Sequence, residues 1–183
     1  MEAIIISGLP AAGKTEVARL LGMRLGLREL GGGDILKGMA AEEGYTTGGS
    51  DWWDTEQGIE FLKERERNPK FDKEVDRRML EKIKEGNIVV TSWTMPWLSD
   101  TGFKIWLDAS RDVRAKRMAL RDKTDLDTSR RTIDERDTMN YDLYGRLYGI
   151  KLGRDKNPFD VIINTDKLTV EQVADEILKR IKK

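Results

Sequence analysis

Gly8-Leu9-Pro10-Ala11-Ala12-Gly13-Lys14-Thr15 decides how this chain is read. It fits the spacing G-x-x-x-x-G-K-[ST], a loop whose backbone cradles phosphate. Ala3-Ile4-Ile5-Ile6 precedes it, an apolar β-branched run that predicts a buried parallel strand. Glu16 to Leu25 follows, with Val17, Leu20, Leu21 and Leu25 at helical spacing. Strand, loop and helix stand in the order the chemistry requires. Gly8 and Gly13 let the backbone curl until successive N–H groups face inward and form an anion nest. The following helix aims its positive end at the same spot. Lys14 is expected to reach the β- and γ-phosphates, and the Thr15 hydroxyl to ligate Mg²⁺. The motif therefore implies a bound nucleoside triphosphate along Gly8 to Thr15, and leaves open what is done with it.

Working outward, the composition narrows the chemistry. At 183 residues the chain is long enough for one domain with a full core. Its 33 basic and 33 acidic residues cancel, which argues against wholesale binding to nucleic acid or an anionic membrane. It has no cysteine and no histidine, so thiol nucleophiles, histidine general bases and the usual zinc sites are excluded. No apolar run approaches the ~20 residues of a membrane span. A soluble, cytoplasmic protein is expected, as monomer or dimer.

Leu27 to Leu30 reads as a second strand, and Asp34 as the cap of a helix through Ile35 to Ala40. Gly44 to Asp54 is irregular, with Gly48-Gly49 and the pair Trp52-Trp53. Glu56 to Arg67 reads as a charged helix that Pro69 breaks. Phe71 to Glu85 carries Phe71, Val75, Met79 and Ile83 on one side of the next helix. Asn87 to Ser92 and Phe103 to Asp108 are the third and fourth strands. Asp112 to Asp122 and Arg130 to Tyr148 read as helices around a turn-like Lys123 to Ser129. Val161 to Asn164 is the last strand. Thr169-Val170-Glu171-Gln172 opens the final helix as a capping box. Strands alternating with helices imply an α/β fold, a parallel sheet covered on both faces.

The second chemical signal is cationic. Arg111 to Arg136 holds nine Lys/Arg against six Asp/Glu in a chain that is otherwise neutral. Arg114, Arg117 and Arg121 share one helical face. Such a face is either solvated or, beside a phosphate loop, a set of donors for a transferring phosphoryl group.

These stretches together resemble nucleoside monophosphate kinases of the P-loop superfamily, in particular the archaeal cytidylate kinase group. The resemblance is carried by the loop, Gly33-Asp34-Ile35-Leu36, Phe71 to Arg78, Lys104 to Asp108, Tyr144 with Tyr148-Gly149-Ile150, and Phe159 to Thr165. It implies a P-loop NTPase fold of five parallel strands, with a core of residues 1–33, 81–120 and 150–183. It also implies a monophosphate-binding insert at about 34–80 and a lid at about 121–149. The implied reaction moves the γ-phosphoryl of Mg-ATP to a nucleoside monophosphate, with CMP or dCMP favoured. By that analogy Arg117 and Arg121 face ATP, Arg136 reaches the transferring group, and Lys14 completes the catalytic set. Lys37 stands where the family usually carries an arginine for the acceptor phosphate. After the third strand, Thr91-Ser92-Trp93 replaces the family's usual acidic residue, glycine and arginine. Asp34 is a nearby substitute for that carboxylate.

On the acceptor side, Asp72 and Asp76 lie one turn apart and are able to accept from the cytosine amine, with Arg77 donating to its N3 and O2. Either aspartate taken alone reads first as part of a solvated face. Trp52 and Trp53 suit base stacking or burial, and Trp106 suits the core. A competing reading is a kinase-like ATP-binding protein, with ATPase or adenylate kinase-like activity, serving an assembly or regulatory partner. The altered Thr91-Ser92-Trp93 stretch favours that reading, and the arginine set favours the enzyme.

Overall fold

The computed structural model describes residues 1–47, 52, 56–67 and 70–181. Gly48-Gly49, Trp53 and Pro69, singled out above, lie outside the described residues. Strands β1 (Ile4–Ser7), β2 (Arg28–Gly31), β3 (Ile88–Thr91), β4 (Phe103–Asp108) and β5 (Val161–Asn164) form one sheet in the order β2-β3-β1-β4-β5. All four pairings are parallel. The helices are α1 (Lys14–Leu25), α2 (Gly32–Glu42), α3 (Glu56–Arg67), α4 (Lys70–Glu85), α5 (Met95–Leu98), α6 (Arg111–Asp122), α7 (Leu126–Tyr148) and α8 (Val170–Ile181).

The pleat of β1 explains the layering. Ile4 and Ile6 point to one face, where Val89, Ile105, Leu107 and the inner sides of α1 and α8 meet them. Ile5 points to the other, against Val90, Leu36, Met39, Val75 and Met79 from β3, α2 and α4. A strand buried on both faces must be apolar at every position, and Ile4 to Ile6 are at most 1% exposed. The central strand thus delivers the loop that follows it to the carboxyl edge of the sheet. Open α/β sheets bind ligands there, beside the point where strand order reverses.

Three sequence expectations shift. Asp34 is not the cap of α2 but sits in its first turn, its carboxylate accepting from the Gly31 N–H at 2.7 Å. The stretch Lys123 to Ser129 is turn-like only at its start, because Asp125 caps α7 through the Thr128 N–H and the helix begins at Leu126. The short helix α5, with Pro96 in its first turn, was not expected at all. Trp52 and Trp106 are both buried to 1% exposure, Trp52 with Phe61 and Trp106 with Phe159. Trp52 is therefore a core residue and offers no face to a base. No helix among the described residues is long and apolar enough to cross a membrane.

Candidate active site

The loop between β1 and α1 is shaped by its glycines. A Cβ on Gly8 would stand 2.5 Å from the Leu107 carbonyl oxygen, so only glycine lets the chain pass so close to β4. Ala11 and Gly13 take left-handed backbone, at φ 60° and 96°. That conformation turns neighbouring N–H groups toward one side and makes an anion nest at the start of α1. The residues Pro10 to Thr15 line a cavity of about 870 Å³.

Lys14 is tucked under its own loop. Its ammonium donates to the carbonyls of Gly8 (2.8 Å) and Leu9 (3.0 Å). Burial of the ammonium, with Arg136 and Arg114 nearby, brings its pKa down to about 7. A polyanion arriving at the loop reverses that balance, because an opposite charge favours the protonated lysine.

The arginines of α6 and α7 close the other side of this cavity. Arg117, Arg121 and Arg136 all line it. Arg117 is fixed by Thr165, whose hydroxyl and carbonyl accept from it at 3.0 and 2.7 Å. Arg121 pairs with Asp122 at the surface. Arg136 makes no ion pair among the described residues, and partial burial holds its pKa below the usual value. A half-buried, unneutralised guanidinium at the rim of a phosphate loop suits an incoming anion.

Arg114, grouped with Arg117 and Arg121 on one face, is spent differently. It is 4% exposed, donates to the Pro10 carbonyl (3.3 Å), and makes a two-pronged pair with Asp137 at 2.9 and 2.7 Å. This pair ties α7 to α6 and both to the phosphate loop. Asp137 was not among the residues the sequence pointed to. Its spacing from Arg114, 23 residues, carries no local signal.

A second cavity, of about 370 Å³, opens beside the first, and Lys14 and Trp93 line both. Its walls are Asp72, Val75, Asp76 and Met79 of α4, Leu36 of α2, Thr91 to Thr94 after β3, and Tyr144 of α7. Asp76 is nearly buried, and its two oxygens accept from the Thr94 hydroxyl (2.8 Å) and the Tyr148 hydroxyl (2.5 Å). Burial and that bond push the Tyr148 phenol well above its usual pKa. Tyr148 stays protonated and remains a donor. Asp76 therefore locks α4 to the turn after β3 and to the end of α7.

Asp34, Lys37 and Arg77 do not line this cavity. For Asp34 the reason is the Gly31 N–H, which turns its carboxylate back along the chain. Lys37 and Arg77 are each one residue past a lining residue, Leu36 and Asp76, and one helical step rotates a side chain by about 100°. Arg77 is spent on Glu74 (2.7 Å) and Glu81 (2.5 Å) on the outer face of α4. Arg77 thus leaves the acceptor set that the sequence reading gave it.

Comparison with known proteins bears on this pair of cavities. Residues 3–167 match the cytidylate kinase-like family. The chain belongs to that family. The cytidylate kinase of Pyrococcus horikoshii is 36% identical over 171 residues, covering 93% of this chain and 83% of that protein. That of Thermococcus kodakarensis is 37% identical over 163 residues, covering 88% and 78%. In fold, the chain matches a shikimate kinase from Acinetobacter baumannii in complex with shikimate, at TM-score 0.62 and 18% identity, covering 100% of this chain and 93% of that one. The family and the five-stranded parallel P-loop architecture stand together.

Proposed function

We propose that this chain transfers the γ-phosphoryl group of Mg-ATP to a nucleoside monophosphate, with CMP as the preferred acceptor. The observation that carries the reading is the pair of cavities meeting at Lys14, one rimmed by arginines and the other by carboxylates and hydroxyls. A protein that only switched on ATP would have no use for the second cavity. Relatives named cytidylate kinase, at 34–37% identity over most of the chain, support the acceptor class.

An oxygen of the acceptor phosphate attacks the γ-phosphorus as the bond to the bridging β–γ oxygen breaks, giving ADP and a nucleoside diphosphate. That oxygen is already anionic at neutral pH, so a chain without histidine needs no general base for it. Catalysis then reduces to positioning and charge, the usual division of labour in phosphoryl transfer. The loop from Gly8 to Thr15 holds the donor phosphates, Lys14 bridges the two cavities, and Arg117, Arg121 and Arg136 balance charge from the lid side. Thr15 supplies a hard oxygen at the loop, and the described residues hold no cluster of three or more carboxylates for a metal. Mg²⁺ suits such a site, since it keeps several waters and leans on substrate phosphates. It would be held by Thr15 and those phosphates, and would neutralise part of their charge. On the acceptor side Asp72 accepts from the amine at C4 of cytosine, while Asp76 keeps the wall in place.

The test is ADP release from ATP with each monophosphate in turn. CMP should give the highest kcat/KM, dCMP and UMP less, and AMP little. A chain that AMP stimulates most is a kinase of another base, and one that no monophosphate stimulates is not a kinase of this kind.

A further inference from the structure

Among the described residues two side chains line both cavities, Lys14 and Trp93. A phosphoryl group that passes from donor to acceptor crosses between them. Lys14 brings charge to that crossing, as phosphoryl transfer requires. Trp93 brings none, so its place there has another reason. Its ring centre lies 5.5 Å from the Lys14 ammonium, and a phosphate within reach of the lysine is within reach of the ring.

What the ring presents to the crossing is carbon. The indole N–H, its one polar group, is spent on Gly8 O at 3.0 Å, a bond across 85 residues. Tyr144 of α7 packs against the indole with ring centres 5.8 Å apart. The Ser92 N–H donates to Ile6 O at 3.1 Å, which fastens the preceding residue to β1. The Ser92 hydroxyl accepts from the N–H groups of Thr94 and Met95 at 3.1 and 3.2 Å, which fixes the turn beyond it. Trp93 is thus held by loop, sheet and helix, yet it is only half-buried and keeps open surface in both cavities.

The crossing is also where a wrong acceptor enters. If the oxygen of water takes the acceptor's place at the γ-phosphorus, the bond to the bridging β–γ oxygen breaks as before. The products are then ADP, inorganic phosphate and a proton released to solvent. An ordered water needs about two to four polar partners. Lys14 and the phosphate oxygens offer them, whereas the ring offers none and fills the room. We propose that Trp93 decides between acceptor and water: its ring keeps the junction of the two cavities dry, so that the phosphoryl group passes to the monophosphate. Exclusion of water from a reacting centre suppresses this kind of side reaction. The proposal rests on the reading of the two cavities as donor and acceptor sites, and its test separates the two.

The experiment measures inorganic phosphate and CDP formed in one reaction from Mg-ATP and saturating CMP. Their ratio is taken within a sample, so partial unfolding of a variant lowers both products alike and leaves the ratio unmoved. Trp93→Ala opens room for several waters beside Lys14. Its ratio of phosphate to CDP should rise about tenfold or more. Trp93→Phe keeps an apolar ring and loses the bond to Gly8 O, and its ratio should stay within about threefold of native. An unchanged ratio in Trp93→Ala, with both products falling together, would overturn the proposal and leave Trp93 as packing. Equal rises in the two variants would also overturn it, since the effect would then belong to the lost Gly8 bond. The native chain gives a reading that needs no variant to fold. With ATP alone, its phosphate release should stay below about 1% of the CMP-stimulated ADP release. A faster leak would mean that the ring does not keep water out. A native chain that forms no diphosphate from CMP or any other monophosphate would instead overturn the kinase reading.

Discussion

Around the donor cavity four cationic side chains, Lys14, Arg117, Arg121 and Arg136, stand over a backbone loop. The cavity beside it is walled by two carboxylates, four hydroxyls and the apolar faces of Leu36, Val75 and Met79. Among the described residues that line it, Lys14 is the one cation. On the reading proposed above, an acceptor monophosphate would place its negatively charged phosphate at the Lys14 end and its base at the acidic end. The difference separates two tasks. The donor side balances charge that every triphosphate shares, and needs little shape. On the same reading the acceptor side discriminates by pairing and fit, and its lining comes from five separate parts of the chain.

The largest break of this comparison is at the shared residue. Lys14→Ala should reduce turnover to about 10⁻³ of the native rate or lower, since it removes the cation common to both phosphates. Circular dichroism should be unchanged, because the lysine's present partners are carbonyls of its own loop. A folded variant that keeps substantial activity would show that the cavities meet elsewhere.

Arg136 sharpens the donor half. Among the described residues it has no ion pair to lose, so Arg136→Ala should leave the fold and ATP affinity nearly unaltered. The expected fall is in kcat, by roughly 10²-fold, the scale of one lost transition-state donor. If KM for ATP rises while kcat holds, Arg136 is part of a capture surface and the lid does no chemistry. Arg114→Ala is the contrasting case, expected to cost about 3–5 kcal/mol of stability by stranding Asp137, measured by urea unfolding.

The donor side was the more legible of the two, for a physical reason. Its loop is eight consecutive residues whose conformations follow from their own glycines, so spacing alone identifies it. The alternation of strands and helices followed from apolar periodicity in the same local way. The acceptor side depends on contacts no periodicity records. Asp76 meets Thr94 and Tyr148 across 18 and 72 residues, and Trp93 meets Gly8 across 85. The motif Phe71 to Arg78 lies on a helix that lines this cavity, but the motif does not say which of its residues turn inward. Asp125 carries a local signal of its own, since aspartate is among the preferred residues at a helix N-cap.

Asp72 and Tyr148 divide the acceptor half between recognition and support. Asp72→Asn turns an acceptor of hydrogen bonds into a group that also donates, which should raise KM for CMP by about tenfold and narrow its advantage over UMP. Tyr148→Phe keeps the Asp72 carboxylate and removes one bond from Asp76. Its effect should be a smaller rise in KM, equal for CMP and UMP, read from the same steady-state assay. Equal loss of selectivity in both variants would mean that the base contacts Asp76 directly.

Arg77 gives the smallest effect and the cleanest discrimination between helix faces. It adjoins Asp76 in sequence, yet its guanidinium lies on the outer face of α4 between Glu74 and Glu81. Its side chain is 55% exposed, and solvent screens exposed pairs of this kind until they contribute little. Glu74 also holds Arg78, which in turn pairs with Glu42 of α2 at 2.6 Å, so the α2–α4 contact survives without Arg77. Arg77→Ala should therefore leave kcat and KM for CMP within about twofold and Tm almost unchanged. Alanine's higher helix propensity offsets part even of that small loss. A tenfold rise in KM for CMP without a change in Tm would reverse the assignment: it would mean that α4 turns during catalysis and brings its outer arginine to the base.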